Sequence, residues 1–472
     1  MNLDSNQSNE TAQVVVVGAG PVGLWVAAEL ALAGVSTLVL ERAVERSPHS
    51  KAMGMHPRTV EVLALRGVEK RFLADGVPRP NWHFGMLENR LDFAVLDTPY
   101  PFMLAFPQVR TEELFEQRAL DLGVRIRRGH AVTGLEQDSS SVTLTLDDSS
   151  TVTASYVVGA DGAGSTVRKA AGIDFPGSDA TSFGYVGEVS LTEQPVVTAQ
   201  TDDGAFITVP LGGGRYRIAG TDALRQSPDD PFTLEDLRAT TLRVAGSDYG
   251  MHDPTWLSRF GNATRVAAEY RRGRVLLAGD AAHMHFPAGG VGLNVGVQDA
   301  MNLGWKLAAE VHGRAAPGLL DSYHAERHPV GLALAQHTLA QTAIINATTP
   351  EQRALRTLLN ELVATVPAFS TALADRLAAL DVAYPVAGAH PMVGRRMPLL
   401  ALLSGRPLLL ARTALPEAFA LAAGLGFETA VDPDLVDARA AVVRPDGHVW
   451  WATDDTAEVP AGLTGLGTTF AD

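Results

Sequence analysis

An acid, a proline and three glycines fall within thirteen residues of this chain: Asp280, Pro287, Gly289, Gly290 and Gly292. An apolar run at 275–278 leads into them, and a helical period from about 294 to 311 follows. Strand ends of this kind are where open α/β sheets hold ligands. Glycines without Cβ let the backbone approach a flat ligand closely. The helix opening at Leu293–Asn294 would point free N–H groups and a positive dipole end at that ligand. The site thus suits a ring system that takes up negative charge. The Asp280 carboxylate can accept from sugar or polyol hydroxyls. A reduced flavin with its ribityl chain meets both demands.

A second constellation lies near the start. The run Val14–Val15–Val16–Val17 reads as a strand buried on both faces. It leads into Gly18–Ala19–Gly20–Pro21–Val22–Gly23 and a helix over 24–33. In this G-x-G-x-x-G turn Gly18 makes the tight bend. Gly20 admits a pyrophosphate, and Gly23 lets helix and strand pack. A second strand, 36–40, ends on Glu41, placed to meet an adenosine ribose. An acid there favours an unphosphorylated 2′-hydroxyl, hence FAD or NAD over NADP.

Between and after these units the chain must build a scaffold. Its 472 residues exceed a single core, so two or three domains are expected. A net charge of −15 argues against nucleic acid and anionic membranes as partners. The absence of cysteine excludes disulfides, thiolate metal sites and dithiol relays. Residues 1–12 read as a polar disordered tail without a signal-peptide core. No run is long and apolar enough for a membrane span, and a cytoplasmic location is expected. Residues 76–104 read as an excursion from the first domain. A helix is expected at 108–122 and strands at 124–128, 132–137 and 142–146. The strand 156–159 ends on Asp161–Gly162, and Ser165 caps a short helix. Alternating runs from 175 to 264 read as an inserted, mainly antiparallel lobe. The stretches 321–339 and 350–381 are helical by period, and a small α/β unit closes the chain after 385.

Taken in order, the glycine turn with Glu41, the strand-end Asp161–Gly162 and the Gly279–Asp280 loop resemble the single-component FAD-dependent aromatic hydroxylases of the para-hydroxybenzoate hydroxylase group. Within that group the chain is most similar to aromatic polyketide hydroxylases and to the rifampicin and pentachlorophenol monooxygenases. Phe260–Gly–Asn–Ala–Thr–Arg265, Gly279–Asp–Ala–Ala–His283, Phe286–Pro–Ala–Gly–Gly290, Gly304–Trp–Lys–Leu307 and Asp321–Ser–Tyr–His–Ala–Glu–Arg327 carry the likeness to angucycline-type enzymes. The resemblance implies a Rossmann-like FAD domain (13–75, 105–175 and 265–385) and a substrate lobe (76–104 and 176–264). It further implies a thioredoxin-like unit without cysteines (386–472). The implied flavin contacts are Gly18, Gly20, Pro21, Val22, Gly23, Glu41, Arg42, Lys51, Gln108, Val132, Asp161, Asp280, Pro287, Gly290, Gly292, Leu293 and Asn294. Relatives often carry arginine where this chain has Lys51 and Met53. They also tend to have an arginine where Ala163–Gly164 stands.

The expected activity is hydroxylation of a polycyclic phenol or quinone through a flavin C4a-hydroperoxide. FAD would be tight and noncovalent, NAD(P)H a transient donor and O2 the co-substrate. No single acid–base residue is expected, and the chain would act as a monomer or homodimer. A Baeyer–Villiger or antibiotic-inactivating oxygenase of the same group is the alternative, and a non-catalytic FAD-fold binding protein a remote one. A halogenase would need a W-x-W-x-I-P signature, which is absent. Trp82, His83, Phe84 and Tyr216 are candidate substrate contacts, weighed against packing. His283 and His285 lack a third ligand nearby, so no metal is expected.

Overall fold

The computed structural model describes residues 10–224, 232–384, 386, 389–397, 401–435 and 437–466. The valine run forms the strand Glu10–Val17, flanked by Thr37–Glu41 and Thr151–Gly159, both parallel to it. Val275–Leu277 continues the parallel sheet beyond Thr151–Gly159, and Arg125–Arg128 does so beyond Thr37–Glu41. The chain thus winds outward in both directions from its first strand. The hairpin Val132–Gln137 and Val142–Leu146 joins antiparallel to the first half of Thr151–Gly159. Pairing begins at Glu10↔Val152, so Thr11 and Ala12 lie in a strand and not in the expected tail. The nine-residue partner Thr151–Gly159 offers backbone groups that these two positions take up. Residues 1–9 lie outside the described residues.

Two helices cover the sheet, Pro21–Leu32 and Gly292–Val311. They approach closely because glycines face the contact. A Cβ at Gly296 would lie 2.5 Å from Val22 Cγ2, and one at Gly304 would lie 2.6 Å from Glu29 Cβ.

The expected lobe is a five-stranded antiparallel sheet in the order Thr198–Thr201, Gly204–Gly212, Arg215–Asp222, Phe183–Ser190, His252–Gly261. The helix Leu234–Ala245 opens on a Thr233/Asp236 capping box and packs Leu237 and Val244 against Tyr185, Phe206 and Ile218. Most of the excursion's apolar residues pack elsewhere. Phe84, Leu87, Leu91, Phe93 and Leu96 join Leu334, Ile344, Val363 and Leu377 from the long helices after 320. Met86 of the excursion lies with Ala205 and Phe260 of the lobe. The apolar run was legible, but its partner helices lie more than two hundred residues away.

Near the end of the chain a four-stranded sheet has the order Glu428–Val431, Leu408–Ala411, Ala440–Val443, Val449–Thr453. The whole is an α/β fold with a mixed, largely parallel sheet and separate antiparallel sheets. Among the described residues no single helix is long and apolar enough to cross a membrane.

Candidate flavin and substrate site

Four neighbouring parallel strands end level. Leu277 pairs with Gly159, Gly159 with Val17, and Val17 with Leu40. The residues just beyond these ends are therefore set side by side in the order Asp280, Asp161, Gly18, Glu41. Three strand spacings separate the outer two, about 14 Å. An extended dinucleotide can lie along such an edge.

The glycines divide their work. Gly18 has φ of +106°, and a Cβ there would meet Ala160 O at 2.4 Å. A Cβ at Gly23 would meet Gly18 O at 2.0 Å. Both are packed by protein. At Gly20 a Cβ would meet nothing within 4 Å, although this residue caps the helix that starts at Pro21. Its open face at a helix N-terminus is a cradle for phosphate. Glu41 Oε2 accepts from Ala19 N at 2.8 Å and Oε1 from Ala43 N at 2.8 Å, which fixes the carboxylate against the glycine turn. Arg42 and Lys51 are exposed. Val132 is buried, two residues beyond His130, whose N–H donates to Glu41 O at 3.0 Å.

Asp280 stands in a short turn, Gly279–Ala281, with its side chain exposed and no hydrogen bond to protein. Buried Asp299 holds this turn from beneath: Oδ2 accepts from Gly279 N at 3.1 Å and from His283 Nε2 at 2.7 Å, and Oδ1 from Arg327 Nε at 2.7 Å. Burial opposes its charge, yet Arg327 and His283 hold the carboxyl below the usual range. Neither Asp299 nor the role of Arg327 was evident in the sequence. The signal available was a set of polar residues (Gln298, Asp299, Asn302, Lys306) inside an otherwise apolar helix. Among the described residues no group of three or more His, Asp or Glu could hold a metal.

Beyond Asp280 the chain makes a turn at Ala288–Gly290 and enters the helix Gly292–Val311, two residues earlier than expected. Pro287 and Gly290 are exposed, and a Cβ at Gly290 would enter open space. Gly289 is packed instead against Gln341 and Leu377. Its carbonyl accepts from Trp82 Nε1 at 3.1 Å and from His56 Nε2 at 2.9 Å.

Several candidates have duties other than those expected. Asp161 turns its carboxylate to the helix Thr166–Ala170, accepting from Ser165 Oγ at 2.5 Å and Thr166 N at 2.7 Å. It braces the strand end and has little capacity left for a ligand. Ser165 caps the same helix, as expected. Gln108 is engaged by Ala52 N at 2.9 Å and donates to Glu112 at 2.8 Å, so it pins the segment carrying Lys51. Asn294 Oδ1 accepts from His56 N at 2.7 Å and Nδ2 donates to Gly290 O at 2.9 Å, stitching the glycine loop shut. Trp82 clamps that loop. Phe84 is buried and stacks on His337 at 5.3 Å. His83 is half-buried, and burial, with Arg90 and His56 nearby, pushes it down to about 3.

Tyr216 is a correction. It shares the face of Ile218, two residues on in the same strand, the side covered by Leu234–Ala245, and its hydroxyl meets Gln194 at 3.4 Å. The opposite face looks toward the glycine loop. There Ala205 clusters with Phe286 and Ala288, and Phe260 lies 5.5 Å from Phe286. By strand alternation Ile207, Val209, Ala219 and Val186 share that face. It ends in a Glu188–Arg217 ion pair with Trp256 beside the guanidinium.

A family model described as FAD binding domain matches residues 11–338. The chain belongs to the FAD-dependent aromatic hydroxylases. It is 44% identical to the 12-dehydrotetracycline 5-monooxygenase/anhydrotetracycline 6-monooxygenase of Streptomyces rimosus, over 96% of this chain and 97% of that one. A rifampicin monooxygenase of Streptomyces venezuelae is 42% identical over 94% and 96%. The solved OxyS anhydrotetracycline hydroxylase from Streptomyces rimosus superposes with a TM-score of 0.91 at 42% identity, covering 98% of this chain and 100% of that one. The open Gly20 cradle, the fixed Glu41 carboxylate and the uncommitted Asp280 carboxylate are chemically suited to the phosphates and hydroxyls of FAD. Asp280→Ala is expected to raise the FAD dissociation constant about tenfold to a hundredfold, the loss of one charge-assisted acceptor. Titration of apoprotein with FAD checks this, and an unchanged constant would remove Asp280 from the site.

Proposed function

We propose that this flavoprotein monooxygenase hydroxylates a planar, polycyclic phenol or quinone of the polyketide type, with NAD(P)H as transient electron donor and O2 as co-substrate. The observation carrying this reading is the roof over the glycine loop. Its apolar stretch runs from the Phe260–Gly184 pair to the Glu188–Arg217 pair, four residues along one strand, about 13 Å. Such a surface suits several fused rings laid flat, with an oxygen-bearing end at the ion pair.

FAD, when bound, supplies the activated oxygen. The protein's own residues do the rest. The first turn of Gly292–Val311 would direct its N–H groups and positive dipole end at a bound ring system and favour negative charge there. Phe260, Phe286 and Ala205 exclude water from the end nearest the loop. The roof holds an electron-rich ring in place, so that proximity replaces acid–base chemistry. The small sheet after residue 400, with helices Pro416–Gly424 and Val459–Leu466, fits a thioredoxin-like unit that does no redox work, since the chain has no cysteine.

A panel of tetracyclic and angular phenols, together with rifampicin, tests the reading under NADPH and oxygen by mass spectrometry. The expected product gains one oxygen atom from a polycyclic phenol. Turnover of small single-ring phenols alone would refute it, and turnover of rifampicin alone would favour the antibiotic-inactivating reading. Arg217→Lys keeps the charge and loses the planar fork. It is expected to raise KM about tenfold and to increase peroxide release, by the loss of one charge-assisted hydrogen bond. Tyr216→Phe, on the far face, should leave both unchanged.

A further inference from the structure

A largely buried chain of polar contacts runs from the turn at residues 444–447 to the edge of the sheet at Gly279. The turn Arg444–Pro445–Asp446–Gly447 is inserted between three helices. Arg444 donates to both oxygens of Glu326 at 2.8 Å, and Glu326 also accepts from Lys306 at 2.8 Å and Asn302 at 2.6 Å. Arg58 donates to Asp446 O and Arg66 to Pro445 O, both at 2.9 Å. His448, just after this turn, packs against Tyr384 with ring centroids 4.4 Å apart and planes tilted by 37°. The Tyr384 hydroxyl accepts from Arg327 Nη1 at 3.2 Å. Arg327 in turn engages Asp299, and Asp299 holds Gly279 N, one residue before Asp280.

We propose that Tyr384 is a positioning residue for FAD: its hydroxyl orients Arg327, Arg327 orients Asp299, and Asp299 sets the turn that presents Asp280. Tyr384, Arg327 and Asp299 are all buried, the last two at 0% exposure. Arg327 has few other partners that fix its direction. Besides Tyr384 and Asp299 its guanidinium donates to Val295 O at 3.2 Å. Loss of the hydroxyl frees one arm of the fork without removing a charge. The segment after the long helices therefore acts on the cofactor from beneath the sheet edge, without touching it. This goes beyond a packing role for the C-terminal part of the chain, and it requires only that FAD occupies the site, whatever the substrate.

Tyr384→Phe keeps the ring on His448 and removes only the hydroxyl. The full-length apoprotein should bind FAD about threefold to tenfold more weakly, the loss of one hydrogen bond. Amide exchange in the segment 277–283 should quicken. Glu326→Gln is the companion, because it weakens the same network on the branch that does not reach Asp299. It should lower the melting temperature and leave FAD affinity within twofold of the parent. The proposal is overturned if Tyr384→Phe leaves both FAD affinity and exchange at 277–283 unchanged. It is equally overturned if Glu326→Gln weakens FAD as much, since the effect would then be general destabilisation. Should Tyr384→Phe not fold, Tyr384→His offers a hydrogen-bonding ring and must restore tighter FAD binding than Tyr384→Leu. None of these readouts uses substrate, so they stand apart from the hydroxylation tests.

Discussion

Gly20→Val is expected to give a folded but colourless protein. The residue has φ of −76° and ψ of 178°, a backbone that a β-branched side chain adopts readily. Nothing of the protein lies within 4 Å of the added Cβ, so the apoprotein should melt as the parent does. The new methyl groups would occupy the space at the helix N-terminus that a pyrophosphate must enter. Losing two charge-assisted contacts costs about 3 kcal/mol or more, about a hundredfold or greater in the FAD dissociation constant. Gly23→Val is the contrast. Its Cβ would overlap Gly18 O at 2.0 Å, and backbone cannot step aside as a side-chain tip can. That variant should fail to fold at all. Circular dichroism with flavin absorbance on both proteins decides the matter. A yellow Gly20→Val protein would show that the cofactor does not use this cradle.

These glycines also show what a sequence discloses. The turn at Gly18–Gly23 and its acid at Glu41 are local, set by chain geometry within thirty residues, and their types follow from what the backbone must do. Asp280 is legible for the same reason, as the first polar side chain beyond an apolar strand. Tyr216 is different. Alternation divides Arg215–Asp222 into two faces, but both carry apolar residues, Ile218 on one and Ala219 on the other. Only the packing of Leu234–Ala245 tells which face is covered. Asp161 and Asn294 sit where a ligand could be, yet their oxygens and amide are taken by backbone groups and, for Asp161, by the Ser165 hydroxyl, partners that sequence spacing does not reveal. Asp299, Arg327 and Tyr384 converge from three distant segments, so their link is a tertiary fact.

Acidification is expected to loosen the glycine loop and release FAD between about pH 6.5 and 4, before carboxylate titration governs stability. Burial pushes His56 down to about 4, against its Gly289 hydrogen bond, which pulls the other way. His448 is likewise pushed down to about 4, first by burial, with Asp446 opposing. In the unfolded chain both return to the ordinary value near 6.5. Above that pH neither state carries the proton, and their contribution to stability is complete. As pH falls below 6.5 the unfolded chain binds protons that the folded chain refuses, so stability falls with pH. Near 4 the folded side chains take the proton as well, and the loss levels off. A shift from 6.5 to about 4 at fully buried His56 corresponds to about 3 kcal/mol. The cost has a visible origin: Nε2 already serves Gly289, and Nδ1 is buried with no hydrogen-bond partner, so a second N–H there would be stranded. Glu326, held at about 2 with burial opposed by Arg444 and Lys306, keeps its contribution above the ordinary value of 4.5 and loses it as pH falls from there to about 2. Between pH 6.5 and 5 the slope of unfolding free energy against pH therefore reports the histidines. Denaturant titrations across that range, read with flavin fluorescence, should show stability and bound FAD declining together. His56→Gln should flatten the slope, whatever its effect on stability at pH 7. A parent protein equally stable at pH 7 and pH 5 would contradict the burial of neutral imidazole beneath the loop.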